Sequence, residues 1–342
     1  QLLQELRLPQ LHLLSEKDAL VPVDLVYRLS EWLGGNSRAS VHSLGDVCHA
    51  ALIEVPSQIA ATIEEFLDSS NLFYESAAHF VELDKRDIGQ SFSSAARSYD
   101  SVAELQRKVG AALLNSVEGF SGKNKVVLDL GCGTGYFSSS LTGLASKPTY
   151  IGIDLAEGMV SFAKNSTSDD RCWVAGDAEN LPVASHSVDL IFSSLAIQWC
   201  SDLKRVFAEF ARVLRPGGQC VFATLGPDTL KELRDSWASV DQHKHVNSFL
   251  PAAELEHVAE QFSTIRLAIR QETFTMHYDA VSELLRELKV LGAHNINKSR
   301  SRGLTGRAQL RGMYGAYEDW RDAGKLPASY DVIFAVVKKL EA

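Results

Sequence analysis

The sequence predicts an α/β fold in which a mostly parallel sheet is covered by helices. Three observations predict it. Apolar strand-like runs alternate with amphipathic helical stretches over residues 91–226, a glycine-rich turn directly follows the first run, and acids end the next two. Such alternation is the pattern of parallel strands joined by helical crossovers. At roughly 100–200 residues per domain, a chain of 342 residues has room for about two domains with a sizeable core.

In order along the chain, residues 10–67 read as strand, loop, helix, strand, loop, helix. QLHLL is a short apolar run ending at Ser15, and VDLVYRLSEWL has helical spacing and stops at Gly34-Gly35. ASVHSLG alternates like a strand, and PSQIAATIEEFLDSS is an amphipathic helix opened by Pro56. Residues 68–90 have no clean period and carry the charge cluster DKRD, so they are expected to be a linker. From residue 91 a helical segment ending near LLNSV leads into the strand KVVLDL, a glycine turn and a helix. The strand TYIGIDL, a helix, CWVAGDA, the strand VDLIFSSLA, the helix LKRVFAEFARVL and the strand QCVFATL complete five β/α units. Residues 227–260 look helical and read as an insertion over the carboxyl edge of the sheet. IRLAIRQETFTM, a helix around 281–291 and the strand YDVIFAVVKKL close the chain.

Composition narrows the function. The 43 acidic against 34 basic residues give a net charge of −9, which argues against a general nucleic-acid or anionic-membrane binder. The five cysteines (Cys48, Cys132, Cys172, Cys200, Cys220) are odd in number and never spaced C-x-x-C, so neither a disulfide framework nor a zinc site is expected. A reducing cytoplasmic location follows as the expectation. No apolar run approaches the roughly 18–20 residues of a membrane span, and the opening QLLQELRLPQLHLL lacks a signal-peptide pattern. The chain begins at Gln1 and its first methionine is Met159, so as given it is expected not to be a complete translation product.

The sharpest motif is VVLDLGCGTGYFS, residues 126–138. Gly131, Gly133 and Gly135 after an apolar strand let the backbone turn tightly and approach a ligand at the carboxyl end of the sheet. The third glycine follows the second by two positions rather than the three of a dinucleotide G-x-G-x-x-G, and Asp129 precedes the turn. Asp154 ends the second strand, where a carboxylate can accept hydrogen bonds from ribose hydroxyls. Asp177 ends the third, placed to meet an adenine amino group. Taken singly, these residues are turn glycines and solvated acids. Their joint occurrence at successive strand ends points to a nucleoside cofactor.

With these residues the chain resembles the class I S-adenosylmethionine-dependent methyltransferases over roughly 91–342, and V-L-R-P-G-G (Val213 to Gly218) is similar to that family's element before the fifth strand. The resemblance implies a Rossmann-like seven-stranded sheet with a helical lid and insertion, and S-adenosyl-L-methionine as cofactor. It implies that Gly131, Gly133 and Gly135 face the methionine portion and that Asp154 holds the ribose. Leu155 and Met159 would pack near the adenine, Asp177 with Ala178 would meet its edge, and Ser194 and Leu195 would line the methyl-donor side.

SLAIQWC (194–200), ATLGPDTLKEL (223–233), HVNSFLP (245–251) and LKVLGAHN (288–295) together resemble the malonyl-acyl-carrier-protein O-methyltransferases of biotin synthesis. SFSSAARSYDSVAELQ (91–106) resembles their helical lid. The implied acceptor is the free carboxylate of a malonyl group on acyl carrier protein. A carboxylate is already ionised at neutral pH, so it needs no base. Catalysis then reduces to positioning and exclusion of water. Tyr99, Gln198, Trp199 and His245 are candidates to recognise the acceptor, and each can equally be packing. The HKH run (His243, Lys244, His245) lacks a third ligand at suitable spacing, so no metal is expected. The acid-free stretch containing Lys298, Arg300, Arg302, Arg307 and Arg311 is a docking patch for an acidic carrier, a solvated loop or a phosphate-backbone contact.

Residues 11–67 carry a second resemblance. LHLLSEKDALVP (11–22) followed by GDVCHAALIEVP (45–56) resembles the C-terminal end of an α/β-hydrolase, specifically the esterases that demethylate the pimeloyl-carrier ester in biotin synthesis. This implies Asp18 as the acid and His49 as the base of a triad. No G-x-S-x-G elbow occurs in these residues, so the nucleophile is absent. The expected organisation is 1–67 a hydrolase fragment, 68–90 a linker and 91–342 a methyltransferase domain, from a parent fusing carboxylesterase and methyltransferase. Alternatives are a methyltransferase of a small free carboxylic acid, a protein that is mainly an esterase, and a non-catalytic cofactor-binding module.

Overall fold

The computed structural model describes residues 10–14, 39–43, 59, 62, 84–167, 171–241, 243, 245–292 and 306–341. The chain divides into two compact units, Gln1–Ala78 and His79–Ala342. In the first, β1 (Gln10–Leu14) pairs in parallel with β2 (Ala39–Ser43), Gln10 opposite Ala39. These are the two strands expected from QLHLL and ASVHS. Asp18 and His49 lie outside the described residues.

The second unit is built on a seven-stranded sheet in the order β5-β4-β3-β6-β7-β9-β8. β3 (Val126–Leu130), β4 (Thr149–Asp154), β5 (Cys172–Ala175), β6 (Val188–Ser194) and β7 (Leu214–Leu225) pair in parallel. β9 (Leu326–Lys339) runs antiparallel to both β7 and β8 (Ile265–Tyr278). β3 is flanked by β4 on one side and β6 on the other, so the strand order reverses there. A crevice opens at such a switch point, and the glycine turn after β3 sits in it.

The helices form for local reasons and bury one face each. α1 (Lys85–Ala95) starts where the Asp84 side chain accepts the Arg86 N–H at 2.9 Å. α2 (Glu104–Leu114) buries Leu105, Val109 and Leu113, and α3 (Ser138–Thr142) is a single short turn after the glycines. α4 (Glu157–Ser166) buries Met159, Val160 and Ala163. α5 (Leu203–Val213) is capped by Asp202, which accepts the Arg205 N–H at 3.1 Å, and buries a stripe of Leu203, Val206, Phe207, Phe210 and Val213 under β7. α6 (Lys231–Ala238) and α7 (Ala252–Glu260) come from the 227–260 stretch. α8 (Val281–Val290) and α9 (Arg307–Glu318) follow, and α6 packs on α9 and β9.

Two expectations are corrected here. The stretch read as a linker through residue 90 already contains most of α1: DKRD supplies the helix cap and, as described below, an ion pair rather than a solvated charge run. Arg307 and Arg311 lie on an exposed helical face of α9 rather than in a loop, while Lys298, Arg300 and Arg302 lie outside the described residues. Among the described residues no helix is long and apolar enough to cross a membrane.

Candidate active site

The turn after β3 is fastened to β4. Gly131 and Cys132 donate their N–H groups to the Ile153 carbonyl at 2.7 and 3.0 Å. Gly131, at φ +72°, has no room for a side chain, because a Cβ would lie 2.2 Å from Cβ of Ala196. Gly133, at φ +54°, faces open space, and its N–H donates to Asp154 Oδ2 at 2.9 Å. The other Asp154 oxygen accepts the Ala156 N–H at 2.8 Å. Burial raises the Asp154 carboxyl above its usual range, and the two backbone N–H groups oppose that shift. Behind the turn, Asp129 is 3% exposed and accepts the Tyr150 hydroxyl at 2.6 Å. Burial pushes it up to about 7 against the pull of that hydrogen bond.

One cavity along this edge is lined by Gly131, Gly133, Asp154, Leu155, Met159, Asp177, Ala178, Ser194 and Leu195. A second, adjoining it, is lined by Asp129, Gly131, Gly133, Thr134 and Ser194. The residues expected to hold the cofactor are thus brought together, with one exception. Gly135 does not face either cavity; a Cβ there would lie 2.5 Å from the Trp173 ring, so this glycine serves packing.

The cavity fits S-adenosylmethionine. Each Asp154 oxygen accepts one backbone N–H and keeps a lone pair for a ribose hydroxyl. Gly133 leaves a cradle that no side chain fills, and Ser194 Oγ is buried at the cavity wall without a protein partner. Leu195, at φ +53°, holds a left-handed backbone where this cavity meets the next.

α1 closes the cavity, contributing Lys85, Ile88, Gly89 and Phe92. Lys85 Nζ lies 2.6 Å from Asp177 Oδ2 and 2.7 Å from Glu179 Oε2. Burial works against the Lys85 charge, but the two carboxylates prevail and raise its pKa. Sequence reasoning missed Lys85; the only signal was a charge inside DKRD, whose partner lies 92 positions away.

A third cavity is lined by all four residues expected to recognise the substrate, Tyr99, Gln198, Trp199 and His245. Trp199 packs edge-on against Phe92 with ring centroids 5.3 Å apart. His245 stacks on Trp237 at 3.7 Å and 8°, with Nε2 2.8 Å from Asp241 Oδ1, so it is held in place by two neighbours. Tyr99 lines all three cavities and so marks where they converge. Gln106 and Asn247 also line this third cavity and were missed. Gln106 follows the buried Leu105 on α2, a polar residue at the edge of an apolar stripe that could have been found.

A malonyl-acyl-carrier-protein O-methyltransferase of Methylococcus capsulatus is 43% identical over 267 residues, 75% of this chain and 94% of that protein. The chain belongs to the malonyl-acyl-carrier-protein O-methyltransferase family. A second family member, from Hahella chejuensis, is 36% identical over 82% of this chain and 99% of its own length. A methyltransferase domain matches residues 128–222, which lie within the larger unit. The biotin biosynthesis bifunctional protein BioHC of Cellvibrio japonicus is 42% identical over 98% of this chain, which spans 64% of that relative's length. Among solved structures, the YcgJ protein of Bacillus subtilis superposes with a TM-score of 0.50 at 17% identity, covering 69% of this chain and all of that one; it shares the family's fold.

Proposed function

We propose that this chain transfers a methyl group from S-adenosylmethionine to the free carboxylate of malonyl-acyl carrier protein. The observation that carries the reading is the acceptor cavity, which joins the cofactor cavity at Tyr99 and among the described residues has no Lys, Arg, Asp or Glu in its wall. Its imidazole, His245, is engaged by Asp241. An acceptor that must lose a proton would need a free base there, whereas a carboxylate needs none. When bound, the cofactor supplies a methyl on a positively charged sulfur. The chain's own residues orient and enclose: Asp154 holds the ribose, Asp177 and Ala178 the adenine edge, Leu155 and Met159 its face, and Gly131, Gly133 and Ser194 the methionine side. Masking a distal carboxylate as an ester spares the several kcal/mol that burying it in an apolar tunnel costs.

In the same reading, residues 1–67 are the C-terminal part of an α/β-hydrolase, with Asp18 and His49 the acid and base of its triad, and the parent protein also cleaves a pimeloyl-carrier methyl ester. The likeness to bifunctional relatives along nearly the whole chain supports this. The methyltransferase domain begins with α1, Arg307 and Arg311 on α9 contact the acidic carrier, and the protein works in the cytoplasm. The test is competition: labelled methyl from S-adenosylmethionine is offered to malonyl-carrier, malonyl-CoA and free dicarboxylic acids together. The carrier thioester should take most of the label; preferential labelling of a free diacid would replace the reading with a small-acid methyltransferase.

A further inference from the structure

We infer that Gln106 and Tyr99 hold the acceptor carboxylate at the transfer point, and that the site uses neutral donors there because transfer consumes the charge. This rests on the methyl-transfer reading above. Both residues line the acceptor cavity and the methionine-side cavity, so they stand where the reacting atoms must meet. No hydrogen bond joins the Gln106 amide nitrogen or the Tyr99 hydroxyl to another described residue, so both are free to donate to a ligand; Gln106 Oε1, an acceptor, is buried and likewise has no partner among them. Of the other polar groups nearby, Gln198 Nε2 donates to the Leu195 carbonyl at 2.7 Å, Thr229 Oγ1 to the Asp331 carbonyl at 3.2 Å, and His245 meets Asp241; Asn247 Oδ1 and Ser194 Oγ are also without a partner among the described residues, but each lines only one of these two cavities. Burial, with Asp154 and Asp100 nearby, raises the Tyr99 pKa, so the phenol stays a donor.

The chemistry suits a wall whose described residues include no cation. A carboxylate oxygen forms the new C–O bond as the C–S bond breaks, and the negative and positive charges vanish together into a neutral ester and a thioether. A lysine or arginine at this point would hold the charged ground state more strongly than the transition state, and binding of that kind does not raise the rate. Neutral donors fix the carboxylate in line at a smaller ground-state cost.

The test uses Gln106→Leu, Gln106→Lys and Tyr99→Phe in the full chain. Calorimetry measures binding of malonyl-carrier in the presence of S-adenosylhomocysteine and, separately, binding of S-adenosylmethionine; steady-state kinetics separates kcat from KM. Gln106→Leu and Tyr99→Phe should weaken malonyl-carrier binding about tenfold each, and cofactor binding by less than that. Gln106→Lys should bind the acceptor at least as tightly as wild type yet turn over at least about tenfold more slowly. Wild-type acceptor affinity in Gln106→Leu would overturn the assignment, and wild-type kcat in Gln106→Lys would overturn the charge argument. If the wild type methylates another carboxylic acid but no malonyl thioester, the substrate reading fails, and the same variants measured on that acid still decide the role of Gln106.

Discussion

Gly158, in the first turn of α4, is what lets α1 settle over the cofactor cavity. A Cβ at this position would lie 2.7 Å from Cα, Cβ and the carbonyl oxygen of Ser93 on α1. Two of those atoms are backbone, so no rotamer change relieves the contact. Reaching an ordinary 3.4 Å separation from 2.7 Å requires α1 to move by about 0.7 Å. That displacement strains the Gly158 N–H to Ser93 Oγ hydrogen bond, now 3.0 Å, and the pairing of Lys85 with Asp177. Overpacking of this kind costs about 1–3 kcal/mol. Gly158→Ala can relieve it by releasing α1, and the cost then appears as lost cofactor affinity, about five- to 150-fold at tenfold per 1.4 kcal/mol. Calorimetric titration with S-adenosylmethionine measures this, with thermal unfolding of the cofactor-free protein alongside. Wild-type affinity, with or without a lowered Tm, would refute the view that α1 and α4 together close the site.

Three further substitutions probe the same unit. Lys85→Met removes the tie between α1 and the end of β5; because the pair is partly exposed it is worth about 1 kcal/mol or less, so cofactor release in stopped flow should quicken by up to about fivefold, and unchanged release would deny the tie. Asp129 has a folded-state pKa of about 7, above its unfolded value, so the native state binds the extra proton and the stability this group contributes is lost as pH rises from about 4 to about 7. Asp129→Asn should flatten that part of the urea-derived stability profile by a few kcal/mol, at about 1.4 kcal/mol per unit, and an unaltered slope would contradict it. Glu254 is 0% exposed with neither carboxylate oxygen partnered among the described residues, and burial raises its pKa. Glu254→Met should therefore stabilise the protein at pH 7 by about 1–3 kcal/mol in denaturant titration, and destabilisation would show that the carboxylate has a partner in solution.

Much of the architecture was legible because it depends on local pattern. Continuous apolar runs such as VVLDL and VDLIFSS can only be buried strands, and the glycines after β3 sit where φ is positive. The acids at strand ends were legible for the same reason: their place follows from strand length. What escaped notice depends on distant partners. DKRD reads as solvent-facing charge until β5 brings Asp177 and Glu179 to Lys85. Gly135 reads as a ligand-facing glycine until Trp173 from β5 fills the space beside it. Gln106 reads as a helix-surface amide until the sheet edge places it over the turn. That His245 lines a cavity was legible, but its stacking on Trp237 and pairing with Asp241 were not, because both follow from how the 227–260 insertion folds back on itself.

The measurement closest to the central claim identifies the methylated atom. The chain is incubated with methyl-labelled S-adenosylmethionine and malonyl-carrier, with acetyl-carrier as the control lacking a free carboxylate. The account predicts label on malonyl-carrier as a base-labile methyl ester of its distal carboxylate, and none on acetyl-carrier. Equal labelling of both, or base-stable label on malonyl-carrier, would contradict it.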